Sequence, residues 1–200
     1  MTRTLGQARP FRLDIPPGFI QLPGGDLDDA VLDRVAGQLA TTINAPEVTD
    51  GIRTAAYSLA ALMPRALTDA VPYVGLGLFR SPEAGRPVLM SLSCLSQPSN
   101  HDSVPTAVAG LLEIHRQHGR AREIPLPGGP AVISLGEQSA ELTIGDAAPL
   151  RLLRREITAW VPDPAGRAIG VVSVSSNNWQ DWEYVCEFLL GLCETLEWAW

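Results

Sequence analysis

Ile157–Trp200 reads ITAWVPDPAGRAIGVVSVSSNNWQDWEYVCEFLLGLCETLEWAW, and this stretch decides how the chain folds. Leu150 to Val161 reads as a strand, with a bulge expected near Arg154-Arg155 where the alternation changes phase. Pro162-Asp163-Pro164-Ala165-Gly166 is a turn by its chemistry: proline presets φ and glycine supplies a permissive exit. Arg167 to Ser175 is the returning strand. From about Asn178, an N-cap residue type, one amphipathic helix is expected to run to the end of the chain. At about 100° per residue, Trp182, Val185, Cys186, Leu189, Cys193 and Leu196 fall within an arc of about 160°. Glu183, Glu187, Glu194 and Glu197 take the opposite side. A hairpin followed by such a helix implies a sheet with a helix laid across it.

Working outward, the upstream chain supplies more strands and more covering helices. Phe11 to Ile15 alternates as a strand does, stopped by Pro16-Pro17-Gly18. After Pro23-Gly24-Gly25 a helix is expected, with Asp26 as N-cap and Asp28 and Asp29 in the first turn, where carboxylates suit the helix dipole. Its buried stripe is Leu27, Val31, Val35, Leu39 and Ile43. A glycine loop before a helix suggests a phosphate site, but three aspartates there would repel phosphate, and neither GxGxxG nor GxxxxGK[ST] occurs. Pro46 to about Met63 is an alanine-rich second helix, and Pro64 kinks or restarts it before Ala70.

Val71 to Arg80 is a strand with Tyr73, Gly75, Gly77 and Phe79 on one face and Val74, Leu76 and Leu78 on the other. Glycines inside a strand mark a close approach by another backbone or by a ligand. The alanine-rich helix packing into this notch is the plainer expectation, and a small-molecule pocket is the sharper one. Val88 to Ser96 is its antiparallel partner, and Ala107 to His118 a third helix. Arg120 to Leu126, Ala131 to Leu135 and Ala140 to Ile144 read as three short strands. The fold class is therefore α+β, a mostly antiparallel sheet of about seven strands with helices packed on its faces. Residues 11–200 are expected to form a single domain behind a flexible N-terminus, residues 1–10.

Composition sets limits on function. The 200 residues are 46% hydrophobic and 18% charged, enough apolar content for an ordinary core. The net charge of −7 argues against nucleic acid as a partner, and the small clusters Arg116, Arg120 and Arg122, and Arg151, Arg154 and Arg155, are interleaved with apolar residues as solvated strand or helix positions would be. No apolar run of about 18 residues is present to span a membrane, and the N-terminus has no apolar core of a signal peptide. Cys94, Cys186 and Cys193 lack the spacing of a disulfide framework, so a reduced, cytoplasmic protein is expected.

Few residues offer chemistry. His101-Asp102 is a titratable pair in a polar loop, with Ser99 and Ser103 nearby, but no nucleophile signature accompanies it and a solvated loop is the first reading. His115 and His118 have a spacing that can place two ligands on one metal, although no third ligand follows the same logic. No catalytic residue, metal site or cofactor is expected. The chain closes on Trp198-Ala199-Trp200; Trp200 continues the buried stripe, whereas Trp198 leaves it toward Glu194 and Glu197. Tryptophan is a common interface anchor, so this end is either a partner-binding surface or cover for a neighbouring loop.

Leu126-Pro127-Gly128-Gly129-Pro130-Ala131-Val132, the hairpin Trp160 to Arg167 continuing through Val171 to Ser175, and the ending Thr195-Leu196-Glu197-Trp198 resemble a family of uncharacterised actinobacterial proteins of about this size. More distantly, the order of elements is similar to the Mog1/PsbP-like sandwich, a curved antiparallel sheet between helices. That resemblance implies action by binding proteins, as adaptors, assembly factors or secretion chaperones, and carries over no catalytic residue. The expected function is a non-catalytic interaction module whose partner is another protein. A small-molecule binder or enzyme using the Tyr73/Gly75/Gly77/Phe79 face, and a homo-oligomer subunit, are the alternatives.

Overall fold

The computed structural model describes residues 3–4, 11–21, 29–42, 45–61, 73–83, 85–116, 120–142 and 150–199. Near the N-terminus lie four short strands, β1 (Arg3–Thr4), β2 (Phe11–Arg12), β3 (Asp14–Ile15) and β4 (Phe19–Gln21). Two helices follow, α1 (Asp29–Thr42) and α2 (Asp50–Ala61), and then the long pair β5 (Tyr73–Arg80) and β6 (Pro87–Pro98). Helix α3 (Val104–Arg116) precedes β7 (Arg120–Leu126), β8 (Gly129–Leu142), β9 (Leu150–Pro162) and β10 (Ala168–Ser176). A 3-10 turn at Trp179–Asp181 leads into α4 (Trp182–Cys193), and β11 (Glu197–Trp198) ends the described chain.

Seven strands form one antiparallel sheet in the order β4-β5-β6-β10-β9-β8-β7, as the α+β reading expects. β1 pairs with β3, and β11 with β2, as small separate ladders. Period-two alternation then sorts the side chains. Met90, Leu92 and Cys94 of β6, Val172 and Val174 of β10 and Ile157, Ala159 and Val161 of β9 face one way, where Val185, Leu189, Leu192 and Cys193 of α4 cover them with Phe11, Leu13 and Ile15. On the opposite face Val31, Val35 and Leu39 of α1 and Ile52 and Ala56 of α2 pack over Ile20, Val74 and Leu76. At its far end Val108 and Leu111 of α3 pack on Val132. Helices therefore cover both faces.

Four sequence expectations are corrected. The last helix does not reach the chain end. Thr195 Oγ1 donates to the Leu192 carbonyl (2.7 Å) and accepts from the Asp14 amide (3.0 Å), and the Leu196 amide bonds the Cys193 carbonyl (3.1 Å). These bonds satisfy carbonyls that α4 would otherwise leave open and turn the chain toward β2. Glu194 and Glu197, which would oppose the dipole of a longer helix, thus fall outside it. At the other end Asn178 holds the N-cap position of the 3-10 turn but makes no capping bond with its side chain, which instead accepts from the Leu89 amide (3.1 Å) and donates to the Pro87 carbonyl (3.2 Å), fastening the start of β6.

The two short strands expected at Ala131–Leu135 and Ala140–Ile144 are one strand as far as the described residues run, to Leu142, because the sheet register passes through Gly136 without interruption. No bulge occurs at Arg154-Arg155: Gln138↔Arg154 and Glu137↔Arg155 pair in step, and a half-buried arginine on the core-side face, not a register shift, breaks the apparent alternation. The first-helix N-cap at Asp26, the stripe members Leu27 and Ile43 and the Pro64 kink lie outside the described residues.

Candidate functional site

The β8–β9 hairpin outruns the sheet that contains it. β7 stops pairing with β8 at Leu135, and β10 stops pairing with β9 at Arg155. From Gln138 to Leu142 and Leu150 to Arg154 the two strands pair only with each other among the described residues. These five pairs make an arm ~17 Å long, from the usual rise per residue.

At the root of the arm three side chains meet. Leu153 is 48% exposed and Trp179 37% exposed; among the described residues the only other exposed large apolar side chain is Ile114 on α3. The Trp179 indole N–H points to the Leu153 carbonyl at 3.4 Å. The Arg155 guanidinium lies 3.8 Å from the centre of the Trp179 ring and 5.8 Å from that of Trp182, and its Nε is held 3.2 Å from Glu137. The 3-10 turn directly after β10 brings Trp179 here, against the edge of β9 that β10 has just left. Nearby Cys186 has its thiol pushed up by burial, with Arg122 and Arg155 opposing that shift.

The turn is anchored by Asp181, which is buried and bonded to Arg86 at two points, 3.0 and 3.4 Å. Hydrogen bonds from Arg86 and Ser81 hold its carboxyl below the usual carboxylate range. Arg86 is itself about half exposed, so this charged pair fixes position more than it adds net stability. The patch above the turn consequently sits on a rigid base.

The candidates read from the sequence are placed as follows. Tyr73, Gly75, Gly77 and Phe79 do face one way, toward α4, while α2 packs on the opposite side of β5. The expectation that the alanine-rich helix fills the notch is therefore corrected. The chain's own rings fill it: a Cβ on Gly75 would lie 2.6 Å from the Tyr73 hydroxyl, and one on Gly77 would overlap the Phe79 ring and reach Phe19 at 3.0 Å. Phe79, Phe19 and Phe188 stack on one another with centroids 5.0–5.6 Å apart.

Trp198 is half-buried in β11, edge-on to Phe11 at 5.6 Å and 74°. Glu194 and Glu197 are exposed beside it, and Trp200 lies outside the described residues. His101 bonds Ser99 Oγ through Nδ1 (3.0 Å) and the Asp163 carbonyl through Nε2 (2.9 Å), joining its loop to the 162–167 turn. Its own carbonyl passes so close to Gly166, at φ +79°, that no Cβ would fit there. Asp102 is exposed. His115 stacks on Trp160 at 4.3 Å, and His118 lies outside the described residues. No group of three or more metal-ligating side chains exists among the described residues.

Besides the arm root, two features escaped sequence reading. On the face opposite α4, register aligns Ser93, Ser173, Thr158 and Ser134 across four adjacent strands. Thr158 and Ser173 bond at 2.8 Å, and Ser134 accepts from the Trp160 indole at 3.0 Å. A groove of about 490 Å³ between α1 and α2 is lined by Asp29, Leu32, Asp33, Arg53 and Thr54, with Arg53 paired to Asp33 and Asp50. No described helix is long and apolar enough to cross a membrane. No protein-family model matches the chain, and no curated protein matches it in sequence.

Proposed function

We propose that this chain is a non-catalytic protein-interaction module whose contact surface is the root of the β8–β9 arm. The observation that carries the reading is the meeting of Leu153, Trp179 and Arg155 at one exposed point. Tryptophan and arginine dominate the binding energy of protein interfaces, and apolar side chains held in the open on a rigid base need little further ordering on contact. The resemblance to a sandwich group that acts by binding proteins points the same way, as an analogy of fold. Trp198, the other aromatic candidate, spends its ring on Phe11 and offers less surface.

Leu153→Asp tests the reading. It places a charge on the patch without touching the core, because Leu153 is half exposed. Capture of partners from the native host should fall at least tenfold against wild type while the melting temperature stays within about 2 °C, as expected of a surface substitution. An unchanged set of captured proteins would remove this surface from consideration.

A further inference from the structure

The Arg155 guanidinium at the arm root is fixed by one edge and one face. Its Nε–H donates to Glu137 at 3.2 Å, and its central carbon lies 3.8 Å from the centre of the Trp179 ring. A guanidinium is a planar fork of N–H donors, and no acceptor among the described residues bonds those on Nη1 and Nη2. The side chain keeps 29% of its surface exposed, so that second edge can be reached. Leu153, two residues back on the same face of β9, stands open about 7 Å away along the strand. Trp179, tied to the Leu153 carbonyl by its indole N–H, lies against both.

We infer that the partner docks here through an extended segment carrying one carboxylate beside an apolar side chain; the inference rests on the arm root being the contact surface. The carboxylate takes the second edge of Arg155, and the apolar side chain rests on Leu153 and Trp179. A guanidinium already stacked on a ring and pinned at Nε presents its remaining N–H groups with little further ordering, in the geometry a carboxylate accepts bidentately. In an extended segment, side chains on one face recur every second residue, about 7 Å apart. That spacing matches Leu153 and Arg155, so the segment reads apolar-x-Asp/Glu in one direction or the other. Charge limits the partner further. Glu137 borders the same guanidinium, Glu183 is exposed in the first turn of α4, and the chain carries a net −7. A phosphate or a run of acidic residues would meet these carboxylates, whereas a single carboxylate meets a single open edge.

Selection of displayed random peptides on the immobilised chain, with Leu153→Asp as the counter-selection, tests the inference. Enriched peptides should carry Asp or Glu two residues from a large apolar residue. The strongest of them, synthesised and titrated by calorimetry, should lose at least about tenfold in affinity for Arg155→Gln, as befits a lost charge-assisted hydrogen bond. Arg155→Lys, which keeps the charge but not the fork, should lose affinity as well. Glu137→Gln keeps an acceptor for Nε and removes the competing charge, so it should bind at least as tightly as wild type. A readout that needs no variant is the same peptide with its Asp or Glu changed to Asn or Gln, which should bind wild type at least about tenfold more weakly. Enriched peptides without an acidic residue, an amide form that binds equally well, or full affinity for Arg155→Gln would each overturn the inference. Enrichment that depends on Leu153 but not on Arg155 would remove the carboxylate and leave the contact surface standing, whereas no enrichment over Leu153→Asp would remove both.

Discussion

Gly77→Ala is the sharpest probe of the packing described for β5. A methyl group there would overlap the Phe79 ring and press on Phe19 at 3.0 Å, and both rings stack on Phe188 of α4, so no one ring can yield alone. Overpacking of this kind costs about 1–3 kcal/mol. In a chain of this length that corresponds to a fall in Tm of about 2–12 °C. The test is a double-mutant cycle with Phe79→Ala, followed by urea denaturation. Phe79 is only partly buried, so its own truncation should cost less than the ~3–5 kcal/mol of a fully buried phenylalanine. With the ring gone, Gly77→Ala should be close to neutral, since alanine is otherwise favoured over glycine inside a strand by about 0.5–1 kcal/mol. The coupling should therefore exceed about 1 kcal/mol. Costs that add to within ~0.5 kcal/mol, the behaviour of independent sites, would refute the claim that the Phe79 ring fills the space above Gly77.

Other expectations follow from separate parts of the molecule. Gly37 lies in α1 with nothing within 4 Å of a built Cβ, so Gly37→Ala should stabilise by about 0.5–1 kcal/mol in the same denaturation assay. The Asp181 carboxyl is depressed in the folded state, so its contribution is present above the ordinary aspartate range and is lost as pH falls through the folded value; Arg86→Met removes the larger of its two hydrogen-bonding causes and leaves Ser81, so acid titration by circular dichroism should show the variant unfolding at a higher pH. Burial pushes the Cys193 thiol up to about 12, so a thiol reagent at pH 8 should label Cys193 only in denaturant and reach half-buried Cys186 first. Thr158→Val should cost about 1 kcal/mol by breaking its bonds to Ser173 and Glu156, as read from thermal melts.

The sheet was legible because its strands alternate cleanly and their turns carry proline and glycine at informative places. Pro162 to Gly166 behaves as its chemistry requires, with Gly166 at φ +79° and the Asp163 carboxylate accepting the Ala165 and Arg167 amides at 2.9 and 3.2 Å. The stripe from Val185 to Cys193 is the face of α4 that meets the sheet. The end of that helix was not legible, because Leu196 keeps helical spacing while lying past the turn that Thr195 builds with Asp14, a partner 181 residues away in the chain. The glycine face of β5 was read correctly as a face, yet its occupant depends on Phe19 and Phe188, which no local pattern connects to it.

The patch at the arm root was hidden for a similar reason. Leu153 and Arg155 occupy one face of a strand and Trp179 a turn beyond the next one, and each reads locally as an ordinary residue of a strand or helix start. Only the register, which ends β10 at Arg155 and leaves β9 running on, brings them together.

Site-specific photo-crosslinking in the native host tests that surface most directly. A photoreactive side chain at position 153 should give a discrete, saturable adduct with a protein, while the same group at Glu83, an exposed turn position, should give none. Equal labelling at the two positions, or no adduct at 153, would contradict the assignment of the arm root as the contact surface.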